Sequence, residues 1–483
     1  MKVVFLTSEM YPFAKVGGLA DVAGSLPPEL KKAGAEIQVF MPFWSRSIDP
    51  SKFEIADTGV SVRVKIGGEE IGSRVLRSSY KGVDVFFIEN EAYYGREGLY
   101  GTSEGDYPDN AERFAFFVQA VLEALPELGI QPDLFHVNDW ESAMLPVYSR
   151  HVYGERYGGV RVLLTIHNLA YQGLFPPEIL PRINVPGELF HMEALEFYGK
   201  VNFLKGGIVF SDFINTVSPT YAKEITLPEF GCGLEGVLKK RERNLTGILN
   251  GIDTEVWDPS KDPSLYHNYS ISDFRKKRPL NKKKLIREMG LPLKSGTILF
   301  GMVSRLASQK GLDILVRALE ELASGVDFQA VILGRGDREY EEKLAELAER
   351  HPERIAVRIG FDATLAGRIY GGADVFLMPS RYEPCGLGQM IALRYGSLPL
   401  VRLTGGLRDT VVPYDPEKSP EGYGFAFEEY SAEALKAEMM RSMGLYGNRR
   451  LWNRLVERGM KLDFSWSRSA REYLELYRKI LMA

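Results

Sequence analysis

Short, β-branched apolar runs alternate with longer amphipathic stretches along this chain, and that alternation restricts its fold more than any other feature. The runs are Val3 to Leu6, Val83 to Ile88, Leu134 to Val137 and Val162 to Ile166, then Ile298 to Val303, Ala330 to Leu333, Val375 to Met378 and Leu398 to Val401. Runs this short and this uniformly apolar fit strands buried on both faces, and the stretches between them fit crossover helices, so the pattern predicts βαβ units around parallel sheets. The series restarts near Thr297, after the basic stretch Ser272 to Lys284 and the turn at Leu291-Pro292. A chain of 483 residues also exceeds what one hydrophobic core usually serves. The expectation is an α/β protein of two doubly wound domains, residues 1–250 and 251–465, with a hinge near Asn250 to Pro259. The terminal segment 466–483 carries a helical apolar stripe of Ala470, Tyr473, Leu474, Leu476, Tyr477, Ile480 and Leu481 and is expected to join the first domain.

Composition narrows the function by exclusion. Basic and acidic residues nearly balance, 60 against 64, so bulk charge points to no nucleic-acid partner. No run approaches the ~18 apolar residues of a membrane span, and the N-terminus lacks the layout of a signal peptide, so no membrane partner is expected. Cys232 and Cys385 stand alone without a CxxC context, which fits a reducing cytoplasm. The six histidines show no metal-binding spacing and no DxD pair is present, so neither a metal nor another cofactor is expected.

In open α/β sheets ligands bind beyond the carboxyl ends of strands, and the polar clusters there hold the candidate site. After the first run, Lys15, Gly17 and Gly18 combine a mobile cation with a loop whose backbone N–H groups can approach an anion; taken alone, these residues read more readily as a plain glycine turn with a surface lysine. After Val303, Arg305 and Lys310 can converge on phosphate oxygens or form a solvated first helical turn. Glu383, on the stiff loop continuing through Pro384, Cys385, Gly386 and Leu387, can accept sugar hydroxyls. Thr404, Gly405 and Gly406 repeat the strand-then-glycine arrangement. His167 and Asn168 follow another strand, with Tyr171 nearby, and Asp139 beside Trp140 joins an acid to an aromatic face of the kind that binds sugars; a capping aspartate and a core tryptophan are the alternative. The segment Leu333 to Glu339 lacks the third glycine of a dinucleotide fingerprint, and nicotinamide binding is discounted.

Together these motifs resemble the bacterial-type glycogen and starch synthase family: KVGGLADV from Lys15, HNLAYQG from His167, NGIDTEVWDP from Asn250, SRLASQKGLD from Ser304, EPCGLGQ from Glu383 and TGGLRDTV from Thr404. The likeness runs from the first strand to the DFSW segment at Asp463 to Trp466. It implies a GT-B fold, two Rossmann-like domains with a deep cleft between them, and retaining transfer of glucose from a nucleotide sugar, ADP-glucose in preference to UDP-glucose, to an α-1,4-glucan. It implies that Lys15, Gly17, Gly18, Arg305 and Lys310 reach the donor diphosphate, and that Glu383, Cys385, Gly386, Leu387 and Asn250 reach its glucose. Thr404, Gly405 and Gly406 are expected on the donor side. His167 and Asn168 would flank the anomeric carbon, and Asp21, Asp139, Trp140 and Tyr171 would face the acceptor. Val16 replaces a common threonine, and Ile391 stands where some retaining GT-B enzymes have a second glutamate. A pyridoxal-dependent glucan phosphorylase and a non-catalytic glucan-binding protein are the competing expectations.

Overall fold

Parallel strands with apolar side chains on both faces build the centre of each half of the protein in a computed structural model that describes residues 1–483. The chain divides into two units, Met1–Gly251 with Trp466–Ala483, and Ile252–Ser465. The sheet of the first unit runs Leu245–Gly247, Phe213–Thr216, Arg161–Ile166, Leu134–Asn138, Lys2–Leu6, Glu36–Pro42, Val83–Glu89, Glu69–Tyr80, Ala56–Ile66. The first seven strands are parallel and the last two continue antiparallel. Strand order reverses direction at Lys2–Leu6 and Leu134–Asn138, which therefore define a topological switch point.

The antiparallel extension departs from the expected all-parallel sheet. Along Ala56–Ile66 buried and exposed side chains alternate, as they do where one face meets solvent, so no continuous apolar run marks the strand. Gly67 and Gly68, at φ 61° and 91°, supply the left-handed turn that closes this hairpin.

The helix Trp466–Met482 packs on the helix Gly18–Lys32 of the first unit. Seven of its apolar positions lie inward, whereas Leu481, assigned to the stripe from sequence, is 39% exposed. The Tyr477 hydroxyl sits 2.7 Å from His136 Nδ1, and Asn215 Nδ2 donates to the Tyr473 hydroxyl at 2.9 Å. His136 also meets Thr165 Oγ1 at 2.8 Å, and burial holds its pKa well below the ordinary value.

The second unit is a six-stranded parallel sheet in the order Ile355–Ile359, Gln329–Gly336, Leu299–Leu306, Val375–Met378, Leu398–Arg402, Phe425–Phe427. Counted along the unit this is 3-2-1-4-5-6, the doubly wound dinucleotide-fold order, with its switch point between Leu299–Leu306 and Val375–Met378. Two of these strands outrun their apolar cores, so Arg305 and Arg335 lie on strands rather than in the loops beyond them.

Tyr477→Phe is expected to leave His136 Nδ1 buried without a partner and to lower unfolding free energy by about 1–3 kcal/mol. A shift of the urea midpoint at unchanged slope would register it.

Candidate active site

Each unit gathers functional groups at its own switch point. In the second unit, the turn Ser308–Lys310 ends at Gly311, where φ is 71° and an added Cβ would lie 2.0 Å from the Pro379 carbonyl oxygen. Glycine thus lets this turn lie against the loop that follows Val375–Met378. The Arg381 N–H donates to the Gln309 carbonyl at 2.8 Å across the same junction. The result is a close ion pair: Lys310 Nζ stands 2.6 Å from Glu383 Oε2, which also accepts from Ser380 Oγ at 3.0 Å. Glu383 is only 6% exposed, so its charge leans on these two donors.

The loop carrying Glu383 is braced from behind. Gln389 Nε2 donates to the carbonyls of Cys385 and Gly386 and to Thr410 Oγ1, each at 3.0 Å. Gly405, at φ 44°, would place a Cβ 2.0 Å from the Glu383 carbonyl oxygen, and Gly406 would meet Cys385 O at 2.2 Å. The Gly406 N–H donates to Glu383 O at 3.1 Å. These glycines therefore hold the carboxylate loop, which corrects the expectation that the Gly406 amide faces a donor. The Cys385 side chain is buried, while Gly386 and Leu387 are half-buried at the start of the helix Gly388–Tyr395.

Arg305 is exposed, and its strand partner in register is Arg335, also exposed. Two guanidinium-bearing residues side by side repel each other unless an anion lies nearby. One strand further along, at the carboxyl end of Ile355–Ile359, Phe361 is 94% exposed. Phe361 belongs to no motif of the sequence, and Arg335 sits in the segment discounted for nicotinamide binding. Their position at adjacent strand ends gives them meaning, and a motif search has no access to that adjacency.

In the first unit, Lys15 Nζ pairs with Asp21 Oδ1 at 2.6 Å, so Asp21 presents its carboxylate to Lys15 rather than standing free for an acceptor. The N–H groups of Val16 and Gly17 donate to the Glu9 carboxylate, the latter at 3.0 Å. That corrects the picture of the Gly17 amide as a phosphate donor. Gly18 opens the helix Gly18–Lys32.

Asp139, at φ 52°, is a non-glycine residue held in the left-handed region. Its Oδ1 accepts from the His167 N–H at 2.7 Å, and the Asn168 N–H adds a second bond. Burial raises its pKa despite those bonds. His167 Nε2 lies 2.9 Å from Asn138 Oδ1, and burial pushes the imidazole down to about 3, so it is neutral at physiological pH. Asn168 Oδ1 accepts from the Ala170 N–H at 3.1 Å, and Tyr171 beyond it is 55% exposed. Asn250 is buried, and its Oδ1 has no hydrogen-bond partner.

Trp140 is not an open platform for a sugar. It is 9% exposed, its ring lies among Phe114, Phe175 and Phe203, and a Cβ on Gly173 would come within 2.4 Å of it. A sugar needs an uncovered ring face, and here both the aromatic cluster and the glycine turn occupy that space, so the core alternative holds.

Two doubly wound units with groups gathered at their switch points define the GT-B class of sugar-transferring enzymes. Among solved structures, the catalytic domain of starch synthase IV from Arabidopsis thaliana, bound to ADP and acarbose, matches 100% of this chain and 99% of its own at TM-score 0.91 and 31% identity. Sucrose-phosphate synthase from Thermosynechococcus elongatus matches at TM-score 0.61 and 17% identity, a likeness of fold alone. Residues 2–240 match the starch synthase catalytic domain model, and residues 284–458 match glycosyl transferases group 1. The glycogen synthase of Syntrophotalea carbinolica is 47% identical over 99% of both chains, and that of Thermotoga maritima 46% identical over 100% of this chain and 99% of its own. The chain belongs to the glycogen and starch synthase family, and it is a nucleotide-sugar-dependent glycosyltransferase.

Gly405→Ala is expected to unseat the Glu383 loop and lower transferase turnover at least about tenfold while secondary structure by circular dichroism is kept, since the clash is confined to one backbone contact.

Proposed function

We propose that the enzyme transfers glucose from ADP-glucose to the non-reducing end of an α-1,4-glucan with retention of configuration, elongating glycogen in the cytoplasm. The observation that carries this reading is the close Lys310–Glu383 ion pair, its carboxylate buried, at the switch point of the second unit, whose strand ends also carry the exposed Arg305 and Arg335. An ammonium held by a carboxylate, on a sheet edge that also carries two exposed arginines, suits a substrate that brings both anionic phosphates and neutral hydroxyls. Lys310, Arg305 and Lys15 take the diphosphate, and Glu383 and Asn250 accept from glucose hydroxyls.

In the reaction the bond from anomeric carbon to phosphate oxygen breaks, and the acceptor O4 forms its new bond on the same face of the ring. The acceptor proton passes to the departing phosphate oxygen. Lys310 and Arg305 stabilise the charge growing on that phosphate, the part a metal ion plays elsewhere, and this supports a metal-free mechanism. The positive character at the anomeric carbon calls for negative or neutral neighbours. The neutral His167 ring meets that demand, and the His167 carbonyl supplies a partial negative charge. Exposed Phe361 suits stacking of a flat base, and exposed Tyr171 suits the apolar face of a glucan ring.

The decisive assay supplies labelled glucose to glycogen from ADP-glucose and, separately, from UDP-glucose, with EDTA present. Incorporation favouring ADP-glucose and indifferent to EDTA is expected; dependence on added metal or a preference for UDP-glucose would refute those parts of the reading. Lys310→Ala and Glu383→Ala are each expected to lower kcat/KM about 100-fold, close to 3 kcal/mol of transition-state stabilisation. Arg335→Ala is expected to raise the donor KM and flatten its dependence on salt, leaving the glucan KM unchanged.

A further inference from the structure

Glu9 has no part in the chemistry above, yet it is among the most enclosed carboxylates of the first unit, at 3% exposure. The chain leads to it directly from the first strand. The Thr7 N–H donates to the Phe40 carbonyl at 3.0 Å, Trp44 Nε1 donates to Ser8 O at 2.7 Å, and Ser8 Oγ lies 2.8 Å from the Tyr100 hydroxyl. The approach to Glu9 is thereby fixed from three directions. Its carboxylate reaches forward to the glycine loop, where Oε2 accepts from the Val16 and Gly17 N–H groups and Oε1 from Gly17 at 3.2 Å. A Cβ on Gly17 would lie 3.3 Å from Oε1, tighter than side chains normally pack, so glycine here permits the contact. The helix Gly18–Lys32 has no capping bond from its own N-cap side chain, and Glu9 meets the amides just before it.

We propose that Glu9 is a positioning residue for glucosyl transfer: its carboxylate pins the Val16–Gly17 backbone and so sets where Lys15 presents its ammonium to the donor. The inference rests on the function proposed above. Lys15 itself is half exposed and pairs with Asp21; a bridge between Met10 and Ala14 holds the backbone just before it, and Glu9 holds the backbone just after it. Only the ionised carboxylate offers both oxygens as strong acceptors to these N–H groups. The groups that act on it electrostatically are Lys15 beside it on the loop, Asp21 on the following helix, Asp139 and Glu141 beyond the strand Leu134–Asn138, and Tyr100. Only Lys15 favours the charge. Burial, and after it Asp21, raise the Glu9 pKa, while the two N–H groups lower it.

A carboxyl that titrates higher folded than unfolded binds its proton more readily in the native state, so ionised Glu9 lowers stability at neutral pH, and the ionised form is lost as pH falls through the raised value. Function and stability therefore oppose each other at this residue, which separates a positioning role from a merely structural one.

The test compares wild type with Glu9→Gln and Glu9→Asp, assayed with ADP-glucose and glycogen well below the melting temperature. For Glu9→Gln we expect at least tenfold loss of kcat at neutral pH, a glucan KM within twofold, and a melting temperature equal to or above wild type. The deficit relative to wild type shrinks as pH falls, because wild type loses its charged Glu9. Glu9→Asp keeps the charge on a shorter arm and should retain the acid limb at a reduced rate. Turnover of Glu9→Gln within twofold of wild type, a fold-loss constant across pH, or a loss that merely tracks a lowered melting temperature would each overturn the proposal. An active wild type beside an unaffected variant removes the role of Glu9 alone, whereas a wild type that incorporates no glucose from either donor removes the functional reading and this inference together.

Discussion

Carboxylates enclosed at the ends of parallel strands are the interaction on which both halves of this enzyme depend. Enclosing such a charge is unfavourable unless donors meet it, and the chain supplies those donors from neighbouring loops at the strand ends. Asp139 takes the N–H groups of His167 and Asn168, Glu9 takes those of Val16 and Gly17, and Glu383 takes Lys310 and Ser380. The arrangement turns a cost into rigidity, because each loop can release its anion only by leaving that anion unpaired.

The same economy explains the glycines. Of the glycine pairs that the sequence offers as ligand contacts, Gly405 and Gly406 stand against the backbone of Glu383 and Cys385, and Gly17 stands against Glu9. Their missing side chains let protein approach protein. The long cationic side chains lie outside these contacts: Lys15 in the first unit, and Arg305 and Arg335 in the second, are exposed. A glycine-rich loop at a strand end is thus compatible with anion binding in two distinct ways, and the direction of the amides decides between them.

The parts of the fold that were legible in the sequence are those whose physics is local. Val375–Met378 and Leu398–Arg402 read as strands because burial on both faces demands continuous apolar residues. Ala56–Ile66 and Glu69–Tyr80 did not, because one face is wet and the pattern alternates with polar residues. The pairing of Lys310 with Glu383 joins residues 73 positions apart in sequence, and that of Tyr477 with His136 joins residues 341 apart. No local signal encodes either. Trp140 shows the converse error: an acid next to an aromatic has the composition of a sugar site, and only the surrounding Phe114, Phe175 and Phe203 reveal that the ring is filled.

Electrostatics tie these observations into one constraint on the first unit. Glu9, Asp139 and Glu141 act on one another, and Glu141 Oε2 is buried with no hydrogen-bond partner. Burial, and then the charge of Asp139, hold the Glu141 pKa well above the ordinary value, and burial raises that of Asp139 to about 7. Like charges so close oppose one another's ionisation, which adds to the effect of burial on Glu141 and Asp139. Asp139 and Glu9 each hold a neighbouring loop by its backbone, the first through the N–H groups of His167 and Asn168 and the second through those of Val16 and Gly17.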